Sequence, residues 1–187
     1  MTRETRLLQI AQELSGRWTI PILLNLPEKG GRFTPLQHAL DISPSRLSDN
    51  LRKMEEAGIV QHLSPYERRH PLLPEYRLTD KGLLLREAAR AVQSSEKEIG
   101  AGPLHEKSWN WPILLAIHQQ YNRFQAIRRA LLTPTPRILS LRMTELGDIG
   151  LIRKELTEEP RPGYLYLLEN SARPPVRQLH GNLLSLL

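Results

Sequence analysis

Residues 32–60 read RFTPLQHALDISPSRLSDNLRKMEEAGIV, and the punctuation of this stretch decides the fold. Thr34-Pro35 fits a helix N-cap followed by proline in the first turn, so a short helix is predicted through about Leu40, with Asp41-Ile42 as its turn. Ser43-Pro44 repeats the start signal. Leu47, Leu51 and Met54 then fall on one helical stripe, and Gly58 supplies the stop. Two helices joined by a tight turn make a helix-turn-helix. Beyond it, residues 59–63 are short and β-prone, 64–74 are polar and proline-rich, and Glu75-Tyr76-Arg77-Leu78 forms a return strand. A hairpin in this place is the wing of a winged helix-turn-helix, whose second helix ordinarily enters the major groove.

Working outward, Leu7, Ile10, Ala11 and Leu14 recur at helical spacing before Ser15-Gly16, which predicts an amphipathic helix over 3–15. Pro21 opens a short apolar helix. Thr79-Asp80-Lys81-Gly82 caps a helix over about 83–98, and Gly100-Ala101-Gly102-Pro103 breaks the chain. After the break the order of signals returns. Trp18 and Trp109 stand 91 residues apart, each beside a Pro-Ile-Leu-Leu run, and Arg32-Phe33 recurs as Arg123-Phe124 at the same separation. Ser43-Pro44 becomes Thr135-Pro136 and Gly58-Ile59-Val60 becomes Gly150-Leu151-Ile152, now 92 apart. Strands follow near 151–152 and 164–168, then an apolar helix near 175–186. A unit of this length is a small domain, so the sequence reads as a tandem duplication. The expected fold is mainly α with short β-hairpins, an α+β arrangement of two winged units: 1–99, a linker at 100–108, and 109–187. The second unit has no first helix of its own.

Composition sets the outer limits. The chain has 187 residues, 40% of them hydrophobic, enough for two modest cores. Zero cysteines exclude disulfides and thiolate metal sites, and six scattered histidines lack metal-ligand spacing, so no metal or other cofactor is expected. No apolar run approaches the roughly 18–20 residues of a membrane span. A cytoplasmic protein is expected, nucleoid-associated in a bacterium. The net charge is +6, spread over both halves, with 15 basic against 13 acidic residues in 1–100. This favours a polyanionic partner.

With Leu47, Leu51 and Met54 inward, a 100° step per residue turns Ser45, Ser48, Asp49, Arg52 and Lys53 outward, with Arg46 on the flank. Arginine can pair with guanine bidentately, lysine and serine can hold phosphates, and the helix start at Ser43 offers backbone N–H groups. In the hairpin tip, Arg68, Arg69 and His70 are placed to follow the DNA backbone or enter the minor groove. Bland readings stand beside these. Arg52 and Lys53 are also what a solvated helix face carries, the tip run is also what a solvated loop carries, and Arg32 and Arg123 suit a structural ion pair as well as a phosphate. Trp18 and Trp109, beside apolar helices, are read as core rather than as base-stacking platforms.

At this point a family resemblance becomes specific. Gly16-Arg17-Trp18-Thr19-Ile20-Pro21-Ile22-Leu23, Arg32-Phe33, Ile42-Ser43, Leu51, Gly58 and the run Glu75 to Gly82 resemble, in order and spacing, the HxlR-type winged helix-turn-helix regulators. The likeness is strong over about 5–98 and weak over 109–172. It implies a DNA-binding transcriptional regulator with double-stranded DNA as partner, and a dimer built from first and last helices. Carrying two units suggests a covalent pseudo-dimer. A homodimer through residues 3–15 and 175–186 is a further expectation. The cysteine-based sensing of some members does not carry over.

The second copy is chemically unequal. Its corresponding helix turns Arg137, Ser140, Leu141, Thr144, Glu145 and Asp148 outward, and its shorter hairpin carries Glu155, Glu158 and Glu159 beside Arg153, Lys154 and Arg161. Phosphate approach is less favourable there, so the first copy is expected to lead in DNA binding. Two readers on one side of a duplex would place half-sites roughly 34–36 Å apart. No Gly-x-Ser-x-Gly turn or Gly-rich phosphate loop is present, and an enzyme is not expected. The alternatives are a tandem winged-helix adaptor binding protein through surfaces such as Ile138 and Leu141, and an architectural or repair-associated protein holding phosphates without base reading.

Overall fold

The structure is a computed structural model and describes residues 2–187. The chain packs as two compact units. One is Gly16–Arg90; the other joins the chain up to Ser15 with Ala91–Leu187. This division follows packing, whereas the 1–99 and 109–187 division follows the order of signals along the chain. The architecture is mostly helical with short antiparallel strands.

In Gly16–Arg90 the chain forms α2 (Thr19–Asn25), β1 (Gly31–Arg32), α3 (Phe33–Leu40), α4 (Pro44–Glu56), β2 (Val60–His62), β3 (Glu75–Leu78) and the start of α5 (Asp80–Ile99). The strands form one sheet in the order β1-β3-β2, with Val60 opposite Leu78 and Gly31 opposite Tyr76. Strand β1 was not legible as a strand, because two residues carry no periodicity. Helix α3 starts two residues earlier than its signal: Arg32 is the N-cap, and Thr34-Pro35 lies in the first turn. Asp41 closes α3 in the left-handed conformation, φ 49°. At the end of α4, Gly58 (φ +69°) permits a Schellman turn, in which Gly58 N–H donates to Glu55 O at 2.9 Å and Ile59 N–H to Met54 O at 2.8 Å. Thr79 N–H donates to Ile59 O at 3.1 Å and the Thr79 hydroxyl to Gly58 O at 2.6 Å, tying the start of α5 to the end of α4.

The other unit contains α1 (Arg3–Glu13), the end of α5, a 3-10 turn (Leu104–Glu106), α6 (Asn110–His118), α7 (Phe124–Leu131), α8 (Pro136–Asp148), a hairpin of β4 (Ile152–Thr157) and β5 (Gly163–Leu168), and α9 (Arg173–Ser185). Helix α1 packs on α6, α7 and α9. Its Leu7, Leu8, Ile10 and Ala11 are buried, as are Val176, Leu179 and Leu183 of α9. The apolar faces expected to be free for a homodimer are therefore covered within the chain. Helix α6 is buried along Asn110–Ile117. Trp111, rather than Trp18 or Trp109, is the deeply buried tryptophan, and both of those are half-buried. Its Nε1 donates to Glu96 at 2.9 Å, and Glu96 also accepts from His105 N–H at 2.7 Å and faces His105 Nδ1 at 2.9 Å. Glu96, on the last turns of α5, is buried, and these bonds satisfy its carboxylate.

Several backbone bonds of Gly16–Arg90 recur 92 residues on. Leu151 N–H donates to Leu146 O at 2.9 Å, Gly150 (φ +73°) N–H donates to Gly147 O at 3.0 Å, and Thr135, like Ser43, precedes a proline at the helix start.

Two outcomes are expected. A Cβ at Gly82 would collide with the Ile59 carbonyl oxygen and lie 3.2 Å from Leu78 Cβ; Gly82→Ala should cost about 1–3 kcal/mol, read as a lower denaturant midpoint. His118 of α6 and His180 of α9 meet edge to face at 4.8 Å. Burial first, then mutual repulsion and Arg177, lowers the His118 pKa; burial lowers that of His180 against an opposing pull from Glu4 of α1. The folded state thus favours neutral rings. Its stability should be full above the unfolded imidazole value of about 6.5 and fall as pH drops below it. Replacing both histidines with glutamine should flatten that slope in urea melts between roughly pH 7 and pH 5.

Candidate nucleic-acid interface

Helix α4 buries Leu47, Leu51 and Met54 and leaves Ser43, Ser45, Arg46, Ser48, Asp49, Arg52 and Lys53 exposed. The structure thus brings all seven expected residues to one exposed helix surface. Ser43 is the N-cap, yet no side chain caps the helix, so its first N–H groups are open to an external acceptor. Arg52 lies between Asp49 at 3.5 Å and Glu56 at 3.6 Å, exposed like both partners. Such pairs are weak, about 0–1 kcal/mol, and a phosphate or base edge can displace them. Arg46 and Lys53 form no ion pair among the described residues.

The wing is more internally bonded than its sequence indicates. Arg68 Nε donates to Leu63 O at 2.7 Å, its Nη1 to Pro71 O at 3.1 Å, and its Nη2 meets His62 Nε2 at 3.1 Å. Arg69 pairs with Glu75 at 2.7 Å, donates its backbone N–H to the same carboxylate at 3.0 Å, and reaches Gly30 O at 3.1 Å. Both guanidinium groups close the 64–74 loop, and that of Arg69 remains largely exposed at 65%. These bonds, the backbone one first, hold the Glu75 carboxyl below its ordinary pKa. His62 stacks on Tyr76 at 4.6 Å, and burial raises the Tyr76 pKa. His70 is exposed, with Nδ1 accepting from Leu72 N–H at 3.3 Å.

Arg32 is exposed beside Lys29, and both line an open concavity of about 530 Å³ with Gly30, Pro35 and Arg69. The nearby carboxylates are engaged elsewhere: Glu28 with Arg86 at 2.6 Å and Glu75 with Arg69. Lys29 was missed because a lone lysine between Pro27 and Gly30 reads as a solvated turn. Tyr66 and Leu72, exposed at 99% and 84% in the wing loop, were missed for a similar reason, since a proline-rich polar segment gives no pattern for single side chains.

In the other unit, Arg137 and Ser140 are exposed on α8, as is Leu141, while Ile138 is half-buried. Arg123 takes the structural role: its Nη2 donates to Glu159 O at 2.9 Å and Arg161 O at 3.2 Å, closing the second hairpin. Glu145 is bound by Arg142 at 2.6 Å and Lys107 at 3.2 Å, which lowers its pKa. It is half-buried rather than fully outward.

Residues 13–100 match the family model described as HxlR-like helix-turn-helix. The match spans the whole of Gly16–Arg90 and with it α3, α4 and the wing, and it supports a DNA-binding transcription regulator. No curated protein and no solved structure matches the chain. No helix of the described residues is long and apolar enough to cross a membrane, and no group of three or more potential metal ligands occurs among them.

Glu75→Gln should loosen the wing selectively. Amide exchange at 64–74 is expected to quicken while α4 stays protected; unchanged exchange would show that Arg69–Glu75 does not hold the loop. In the unsubstituted chain the same loosening should set in as pH falls below the ordinary carboxyl range toward the depressed value of Glu75.

Proposed function

We propose that the chain is a transcriptional regulator that reads duplex DNA with α4 and the 64–74 wing, the second series of elements acting as a covalent pseudo-dimer partner. The observation that carries the DNA-reading assignment is the exposed α4 surface, with an uncapped N-terminus, three arginine or lysine side chains and no buried obligation for any of them. Ser43, Ser45 and the first N–H groups of α4 take a phosphate. Arg46, Ser48 and Arg52 reach base edges, and Lys53 holds the backbone. Arg32 adds a phosphate contact beside Lys29, and the wing contributes through Arg69 and His70 more than through Arg68, whose three donor contacts are internal.

The pseudo-dimer reading draws on the repeated order of elements and on the packing of α1 against α6, α7 and α9. In this reading those contacts are the ones two separate chains would otherwise make. Arg137 and Ser140 give the second copy a weaker claim on DNA, since Ile138, Thr144 and Glu145 stand where α4 has Arg46, Arg52 and Lys53.

The test is selection of bound duplexes from a random pool at two salt concentrations. An enriched motif is expected. Retention without enrichment would instead make the protein an architectural binder, and no retention would leave a protein-binding adaptor. Arg52→Ala with Lys53→Ala should weaken binding strongly and reduce the salt slope by about one phosphate contact, while Arg137→Ala costs less. Unchanged affinity of the double variant would remove α4 as the reader.

A further inference from the structure

The two copies differ most where the helix faces the base of the hairpin. In Gly16–Arg90, Arg52 is held between Asp49 and Glu56, and Glu55 reaches across to accept the His62 N–H at 3.3 Å. Ninety-two residues later these positions are Thr144 and Gly147, while His62 is replaced by Lys154. Two long side chains are lost. Between α8 and the β4–β5 hairpin lies a concavity of about 260 Å³. Its floor is Gly147, where a Cβ would meet nothing nearer than Ile152 O at 3.8 Å.

The walls carry complementary chemistry. Met143, Ile152 and Tyr166 give an apolar side. Lys154 Nζ sits 3.7 Å above the Tyr164 ring centroid and 6.0 Å from that of Tyr166, with no carboxylate partner among the described residues. Arg153 also lines the space, but its charge is engaged by Glu155 at 2.7 Å and Glu169 at 3.7 Å. Asp148 lines the opposite end, exposed and equally unpaired among the described residues. It stands in the last turn of α8, where a carboxylate is unfavourably placed and a cation is favoured by the helix dipole. Thr144 adds a hydroxyl bonded to Ser140 O at 3.0 Å.

We propose that this groove binds a small zwitterion of the amino-acid class with an apolar side chain, its carboxylate toward Lys154 and its ammonium toward Asp148 at the α8 C-terminus. One cation held only by an aromatic face and one anion without an ion-pair partner among the described residues line the same groove, which disfavours both a phosphate dianion and a simple amine. The apolar wall takes the side chain, and Gly147 provides the space. This site goes beyond the DNA-reading proposal and does not depend on it.

The test uses the full chain, ¹⁵N-labelled, titrated with L-leucine, with 4-methylpentanoate, which lacks the ammonium, and with 3-methylbutylamine, which lacks the carboxylate. Saturable amide shifts are expected at Thr144, Gly147, Asp148 and Lys154 with L-leucine, and each analogue should bind at least ~10-fold more weakly, as expected when one charge loses its partner. Lys154→Met and Asp148→Asn should each weaken L-leucine by about the same factor, and Gly147→Leu should abolish the shifts by filling the groove. Thermal melts check that each variant is folded. Should Gly147→Leu not fold, the two charge variants, both at exposed positions, still decide the matter. No saturable shift, equal binding of either analogue, or affinity unchanged by the charge variants would overturn the proposal.

Discussion

The carbonyl of Ile59 is the point on which the winged unit turns. Gly58 takes a left-handed conformation that lets α4 end in a tight turn, and the Ile59 carbonyl then accepts from the N–H of Thr79, whose hydroxyl donates to the neighbouring Gly58 carbonyl at 2.6 Å. Gly82 packs directly onto the Ile59 carbonyl, so the start of α5 can approach only because no Cβ intervenes. Residues 58–59 therefore tie together the end of α4, the pairing of β2 with β3 and the entry of α5. The exposed face of α4 is oriented by this turn as much as by its own buried stripe.

The same backbone device occurs at Gly150 and Leu151, where Glu169 N–H donates to Leu151 O at 2.9 Å. A shared backbone with unshared side chains separates what the two series can do. Glu55 accepts from His62 N–H at the first hairpin base, and Thr144 and Gly147 line an open groove at the second. Backbone hydrogen bonds tolerate such exchange because they do not involve the side chain. Surface chemistry can therefore diverge at little cost to the framework.

Charge in the molecule is partitioned rather than spread. Arg68, Arg69 and Arg123 close loops, and Arg142 and Arg153 are held by carboxylates. Lys29, Arg32, Arg46 and Lys53 of Gly16–Arg90 have no carboxylate partner among the described residues, and in the other unit the same holds of Arg137 and Lys154. Net charge does not distinguish these cations from those that ion pairs and loop carbonyls occupy.

The sequence by itself determined the helices, the wing and the outward face of α4. Pro44, Gly58 and the stripe of Leu47, Leu51 and Met54 act through local backbone preference and periodicity, which need only neighbouring residues. It also placed the turns at Gly58 and Gly150, since a left-handed turn favours glycine. Tertiary structure alone decided the rest. Nothing in the spacing of residues 3–15 says that α1 packs on α6, α7 and α9, because an amphipathic face names no partner. Arg68 and Arg69 look alike in the chain, yet one is consumed by loop carbonyls and the other by Glu75, six residues away. The groove beside Gly147 arises only when α8 and the hairpin are brought together. Such contacts depend on which groups the folded backbone brings within reach, near or far along the chain, and those distances exist only once the chain has folded.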